Sequence, residues 1–263
     1  MPGTGHTGKR LRLKRILPGG RTLIVPMDHG VSSGPVAGLE DVRRAVAAVR
    51  DGGANAIVVH KGLVDRVSEV LNGGPALLVH LSASTGLSTE KDRKVLVGTA
   101  EEAVALGADG VSVHVNVGGR HDAEMLRDLG AMARDCARLG MPLLVMAYPR
   151  GENVKDGFAV DVVRHVARVA AELGADVVKC PYTGDPETFR EVVRSCPVPV
   201  VIAGGPRMDS DAAVLEMVRG AMAAGAAGAS IGRNIFQHAD PAAISRAIAD
   251  VIFAADAPRA VVR

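Results

Sequence analysis

Short apolar runs alternate with amphipathic stretches along the whole chain. Eight of these runs predict buried strands: Leu23–Met27, Ala56–His60, Ala76–Leu81, Gly110–Val115, Leu143–Tyr148, Asp176–Cys180, Val198–Ala203 and Ala227–Ile231. The stretches between them carry apolar residues at helical spacing. Within Asp41 to Arg50 the recurring positions are Val42, Ala45, Val46 and Val49, and within Asp161 to Leu173 they are Val162, His165, Val166, Val169 and Leu173. Gly53, Gly107, Gly140, Gly174 and Gly225 each stand just before an apolar run. A glycine there supplies the left-handed turn that ends a helix before a strand begins. Repeated strand–helix units of this kind predict a TIM (β/α)8 barrel over residues 23–263, preceded by an N-terminal arm over 1–22. The rival is an open doubly wound sheet. Its dinucleotide-binding form is weakened because no G-x-G-x-x-G follows the first run.

In a barrel the chemistry gathers where the strands end, so the polar residues at those ends are the candidates. Strand one ends in Asp28 and His29, strand two in His60 and Lys61, strand three in His80, and strand five in Tyr148 followed by Arg150. On strand four Ser112, His114 and Asn116 share one face and Val111, Val113 and Val115 the other, because successive strand residues face opposite sides. The valines suit the helix layer, which turns the polar set into the barrel mouth. The same alternation on strand six pairs Lys179 with Val177 and sends Cys180 to the opposite side as a small buried thiol.

Lys179 closes an apolar strand, a position where lysine is uncommon unless it has a partner or a task. It could be a surface lysine, a partner for a carboxylate such as Asp28, or a nucleophile. Burial and neighbouring cations favour the neutral form of a lysine, and a neutral amine can attack a carbonyl to form a Schiff base. Asp28 and Tyr148 are the acid–base candidates beside it, although an aspartate there could simply cap a helix.

A second signal lies at the ends of strands seven and eight. Gly204 and Gly205 precede Pro206 and Arg207, and Gly232 precedes Arg233. Bare N–H groups in turns that enter helices favour an anion, and this part of a barrel often holds phosphate. The histidines at 29, 60, 80 and 114 leave a divalent-metal site conceivable, but neither H-x-H nor H-E-x-x-H spacing occurs. The expectation is a site without metal or other cofactor.

Composition narrows the class. Among 263 residues 48% are hydrophobic, only 2% are aromatic and none is Trp, so the core must be aliphatic. That is the composition of parallel strands buried on both faces. The net charge of +2 argues for no nucleic-acid partner, and the basic run from Lys9 to Arg15 reads as a solvated arm. Cys136, Cys180 and Cys196 form no C-x-x-C pair, which points to neither a disulfide framework nor zinc and suggests a reducing cytoplasm. No apolar run approaches the ~20 residues of a membrane span, and no signal-peptide core is evident.

Taken together, the motifs resemble the archaeal-type class I aldolases. The resemblance rests on Leu23-Ile24-Val25-Pro26-Met27-Asp28-His29-Gly30, Val113-His114-Val115-Asn116-Val117-Gly118, Tyr148-Pro149-Arg150-Gly151, Val178-Lys179 with Tyr182-Thr183-Gly184-Asp185-Pro186, and the two Gly-rich turns, the second running on through Arg233-Asn234-Ile235-Phe236-Gln237. It spans about residue 10 to the C-terminus and is strongest to the 2-amino-3,7-dideoxy-heptulosonate synthases. It implies Lys179 as the Schiff-base lysine, Tyr148 as the proton-transferring residue and Asp28 beside the reacting carbons. It also implies phosphate at Gly204, Gly205, Gly232 and Arg233. His29, Lys61, His114 and Arg150, at the strand ends, are the candidate substrate-binding residues. Met146 stands where fructose-bisphosphate aldolases tend to carry Trp, which favours the synthase branch. The implied reaction joins a phosphorylated ketose or triose donor, such as dihydroxyacetone phosphate, to L-aspartate 4-semialdehyde, in a homo-oligomer. A class I fructose-bisphosphate aldolase and a non-catalytic phosphosugar-binding barrel are the alternatives.

Overall fold

The apolar runs pair as parallel strands because both of their faces are buried. The computed structural model of the chain describes residues 4–254; the last residues assigned to the barrel domain, 255–263, lie outside the described residues. The strands are β1 (Thr22–Pro26), β2 (Ala56–His60), β3 (Ala76–His80), β4 (Gly110–Val117), β5 (Leu143–Pro149), β6 (Val177–Cys180), β7 (Val200–Ala203) and β8 (Gly228–Ser230). Each pairs with its sequence neighbour, and β1 pairs with both β2 and β8, so the sheet closes into a TIM barrel. An open sheet is thereby excluded.

Side-chain alternation sorts the apolar residues into two layers. Ile24, Val58, Leu78, Leu144, Met146, Val177 and Val201 fill the barrel interior. Val25, Val59, Val79, Val111, Val113, Val145, Val178 and Ile202 face the helices. The helices are α1 (Thr4–Ile16), α2 (His29–Ser33), α3 (Val42–Asp51), α4 (Val64–Leu71), α5 (Ala100–Ala105), α6 (Asp122–Leu139), α7 (Val160–Glu172), α8 (Pro186–Ser195), α9 (Asp211–Ala223), α10 (Arg233–Phe236) and α11 (Pro241–Phe253). Among the described residues no helix is long and apolar enough to cross a membrane.

Two readings of the pattern need correction. In α7 the buried face is Val163, Val166, Ala167 and Ala170, and His165 is exposed. Val163 and Val166 pack beside the small Ala167 and Ala170, which bring the helix close to β5 and β6 and leave Val162 and Val169 only partly buried. The basic run is also more than a solvated arm. It lies in α1, where Lys9 Nζ sits 2.8 Å from Asp176 Oδ2, Arg12 donates to the Gly140 carbonyl at 3.0 Å, and Arg15 pairs with Asp109 at 2.9 Å. Ile16 and Leu17 at its end are buried against the interior residues. The helix thus stoppers the N-terminal end of the barrel.

Asp109 and Asp176, with Asn55 in the equivalent place, also hold the strand starts. Asn55, Asp109 and Asp176 directly precede β2, β4 and β6, and their side chains accept from the backbone N–H of Leu23, Leu77 and Leu143 at 2.7, 3.0 and 2.9 Å. The repeat therefore has a period of two strand–helix units. Between β3 and β4 the chain also makes a small hairpin that the pattern did not reveal, Ser82–Ala83 against Val95–Leu96. It carries the loop of residues 84–94 over the C-terminal mouth.

Candidate active site

Lys179 closes β6 with its side chain directed into the barrel. It lies in register with Met146 on β5 and Val201 on β7, and only 6% of its surface is accessible. Among the described residues its amine makes no hydrogen bond and no ion pair within 4 Å, yet it lines a cavity of about 530 Å³ at the barrel mouth. The strand supplies the reason: Val177, one inward position earlier, packs in the interior, and the next inward position reaches the mouth. Cys180 faces the helix layer, where burial pushes its thiol above the usual range.

Asp28 follows β1 and occupies the N-cap position of α2, but its carboxylate makes no capping bond. It turns into the cavity instead, with Oδ2 3.7 Å from His80 Nε2 and Oδ1 3.7 Å from His29 Nδ1. Burial by itself would raise its pKa. The positive potential of His80, His29, Lys179 and His60 outweighs that and holds the carboxyl well below the usual range. Asp28 is therefore an ionised acceptor at neutral pH. His80 is pushed down to about 4 by burial, against the pull of Asp28. Its Nδ1 lies 2.7 Å from the Ser112 hydroxyl on β4.

Tyr148 closes the opposite side of the lysine. Its ring packs on His114 at 4.8 Å between centroids, and the Arg150 guanidinium lies 4.7 Å from the ring centre. His114 Nε2 is 2.8 Å from Asn116 Oδ1, and burial, with Lys94 and Arg150 nearby, pushes its pKa well down. His114 is thus a neutral hydrogen-bonding group. Asp28, His29, His114, Tyr148, Arg150, Lys179 and Arg233 all line the one cavity.

The two Gly-rich turns meet at its β7–β8 side. Arg233 Nη2 donates to the Gly205 carbonyl at 2.8 Å. The buried Asn234 side chain donates to the Gly204 and Pro206 carbonyls at 2.8 and 3.0 Å and accepts from the Met208 N–H at 2.7 Å, stitching the turns together. Gly205 has φ +64°, and a Cβ at Gly232 would stand 2.7 Å from His29 Cε1 and 2.8 Å from the Pro26 carbonyl. Both positions thus require glycine. Among the described residues the N–H groups of Gly204, Gly205, Gly232 and Arg233 enter no backbone hydrogen bond.

Lys61 does not join this group. A short 3-10 turn, Lys61–Leu63, carries it outward from β2, and its Nζ pairs with Glu102 Oε1 at 3.0 Å on the exposed face. Glu102 is fixed there by its capping box with Thr99 at the start of α5. Strand-end position alone could not separate this lysine from Lys179. The residues that reasoning from strand ends missed come from the loop: Lys91, Asp92 and Lys94, with Ser84 beside them and Ser32 and Ser33 from α2. The available signal was the long polar interval after Leu81, since loops of that length in compact domains are commonly functional.

Residues 22–238 match the DeoC/LacD family aldolase model. The chain belongs to the DeoC/LacD family of aldolases. It is 44% identical to 2-amino-3,7-dideoxy-D-threo-hept-6-ulosonate synthase 1 of Archaeoglobus fulgidus, covering 92% of this chain and 89% of that one. It is 39% identical to the 2-amino-4,5-dihydroxy-6-oxo-7-(phosphonooxy)heptanoate synthase of Streptomyces griseus, over 88% and 85%. The structure of an archaeal fructose-1,6-bisphosphate aldolase with its catalytic Lys covalently bound to the carbinolamine intermediate superposes with a TM-score of 0.85. It shares 32% identity and covers 93% of this chain and 99% of that one. This DeoC/LacD protein is thus a lysine Schiff-base aldolase, and the non-catalytic barrel is set aside.

Proposed function

We propose that this aldolase joins a phosphorylated ketose or triose donor to L-aspartate 4-semialdehyde through a Schiff base on Lys179, giving a heptulosonate-type product. The observation that carries the reading is the buried, unpaired Lys179 amine between Asp28 and Tyr148 in a single cavity. The synthases named above share 39–44% identity with this chain, against 33% for the fructose-bisphosphate aldolase of Thermoproteus tenax, and this favours the synthase branch. Met146, in register with Lys179, favours it as well.

The Lys179 amine, having lost its proton, adds to the donor ketone, and loss of water leaves an iminium. The iminium accepts the electron pair released when an adjacent C–H or C–C bond breaks, which gives an enamine. The enamine carbon forms the new C–C bond at the aldehyde, whose oxygen takes up a proton. Water then returns the ketone and frees the amine. Tyr148 moves the protons, and the ionised Asp28 offers the negative charge that steadies the cationic intermediates. Arg233 and the N–H groups of Gly204, Gly205 and Gly232 grip the donor phosphate, which holds the carbonyl over the amine. His29, His114 and Arg150 complete the substrate wall.

The test is borohydride reduction of the protein with dihydroxyacetone phosphate and, separately, with a 6-deoxy-5-ketohexose phosphate, followed by peptide mapping. The added mass is expected on Lys179 and absent in Lys179→Met, with turnover lower by roughly three orders of magnitude or more. An adduct on another lysine, or none with a donor that binds, would overturn the assignment. A product assay with each donor and L-aspartate 4-semialdehyde identifies the true donor. Self-association into a homo-oligomer and a reducing cytoplasmic setting belong to the same proposal. The buried, unpaired Cys136, Cys180 and Cys196 support the latter, and the mass in solution tests the former.

A further inference from the structure

The barrel order sets a direction for the substrate. β6, which carries Lys179, stands two strands from β8 on one side and two from β4 on the other. Arg233, just after β8, lines the cavity and donates to the Gly205 carbonyl of the turn after β7, which places the Gly-rich turns on the β7–β8 side. A donor held there by its phosphate, with its carbonyl on Lys179, turns its reacting carbon toward β4, β5 and the loop of residues 84–94. The aldehyde must arrive from that side, so the groups there read its far end.

Those groups are charged, and among the described residues the exposed Asp92 and Arg150 side chains form no ion pair. Asp92, Lys94 and Arg150 line the cavity. Among the described residues the Asp92 carboxylate makes no hydrogen bond and no ion pair, and the Arg150 guanidinium makes only its stacking contact with Tyr148. Lys94 donates to the Ser84 hydroxyl at 2.5 Å and is half-buried. Burial, reinforced by Arg150 and opposed by Asp28 and Asp92, lowers its pKa. The loop holds these residues in place. Asn116, 1% exposed on β4, donates from Nδ2 to the Asp92 carbonyl at 2.6 Å. Arg93, between the two, pairs instead with Glu124 at 2.8 Å and Glu90 at 3.4 Å, while Asp92 and Lys94 both line the cavity. The result is an anion beside a cation at the acceptor end, where a phosphorylated aldehyde would meet cations alone to best effect.

We propose that Asp92 and Lys94 form an acceptor subsite for an amino-acid aldehyde, Asp92 taking the α-ammonium and Lys94 the α-carboxylate. The inference rests on the reading of the site as a Schiff-base aldolase with its donor phosphate at the β7–β8 turns. The pair discriminates against a phosphorylated aldehyde, because the Asp92 carboxylate repels a dianion at that position. Arg150 supplies a second cation for the carboxylate.

The experiment compares acceptors that differ by one charged group: L-aspartate 4-semialdehyde, succinate semialdehyde, which lacks the ammonium, and propanal, which lacks both groups. Asp92→Asn should raise KM for L-aspartate 4-semialdehyde about tenfold or more, the size of one charge-assisted hydrogen bond, and leave succinate semialdehyde unchanged or improved. Lys94→Met should raise KM for both carboxylated aldehydes and leave propanal unaffected. Equal changes for all three acceptors in both variants would overturn the proposal, as would no change for any. Donor trapping by borohydride in each variant keeps the two ideas separate. An adduct on Lys179 with unchanged acceptor preference defeats the subsite alone, whereas loss of the adduct from the unaltered protein defeats the aldolase assignment beneath it. The melting temperature of each variant shows whether a loss reflects folding.

Discussion

His80 Nε2 lies 3.7 Å from Asp28 Oδ2, and the other imidazole nitrogen of His80 is held by Ser112 at 2.7 Å. The contact ties the ends of β1, β3 and β4 together beneath the cavity. Burial of His80, which the Asp28 contact only partly offsets, makes stability depend on pH. Burial lowers the His80 pKa from 6.5 to about 4. Between those values the unfolded chain binds the proton and the folded chain does not, so protonation favours unfolding. The contribution is complete above about pH 6.5 and lost as pH falls toward 4. Asp28, lowered below its ordinary 3.8, does not titrate within that window. The melting temperature of the protein should therefore fall more steeply from pH 6.5 to 4 than that of His80→Asn. Parallel curves would refute the assignment.

Tyr148→Phe keeps the ring against His114 and the stacking surface for Arg150, and removes only the hydroxyl. Turnover should fall by roughly 10²–10⁴-fold, the usual worth of a positioned acid–base group. The Lys179 adduct should still form with donor alone, read by borohydride trapping and mass. Wild-type turnover would remove Tyr148 from proton transfer.

Arg233 lines the cavity and is steadied by the Gly205 carbonyl. Arg233→Ala should weaken binding of a phosphorylated donor by roughly 10–100-fold, the loss of one or two charge-assisted contacts. The dephosphorylated analogue should bind nearly as before. Calorimetry with both compounds measures the difference, and equal losses would place the phosphate elsewhere.

At the other end of the barrel, Asp176 accepts the Leu143 N–H and pairs with Lys9. Asp176→Ala leaves a strand-start N–H and a half-buried ammonium without their partner, and should cost about 1–3 kcal/mol in chemical denaturation. The site lies at the opposite end of the strands, so kcat should change little in the fraction that remains folded. Lys9→Met should cost less, because the Asp176–Leu143 bond survives.

Much of this protein follows from local periodicity. A strand sends alternate side chains to opposite faces whatever its surroundings, so that Lys179 shares a face with Val177 and Cys180 takes the other is legible from residue spacing. The strand–helix repeat, with glycines at the helix ends, likewise determines the barrel class. What periodicity cannot decide is which side chains meet across a closed sheet or where a polar loop comes to rest. The two lysines at strand ends look alike in the sequence. One 3-10 turn sends Lys61 out to Glu102, while Lys179 stays within. His80 meets Asp28 only because the sheet closes its strand ends around one mouth. Lys94 and Asp92 reach the cavity only because the Ser82–Ala83 hairpin and Asn116 anchor a loop with no period of its own. The sequence by itself determined the barrel class and which residues share a face of each strand, because those depend on spacing along the chain. The tertiary structure decided the membership of the site, because contacts between distant residues depend on closure and on long-range hydrogen bonds.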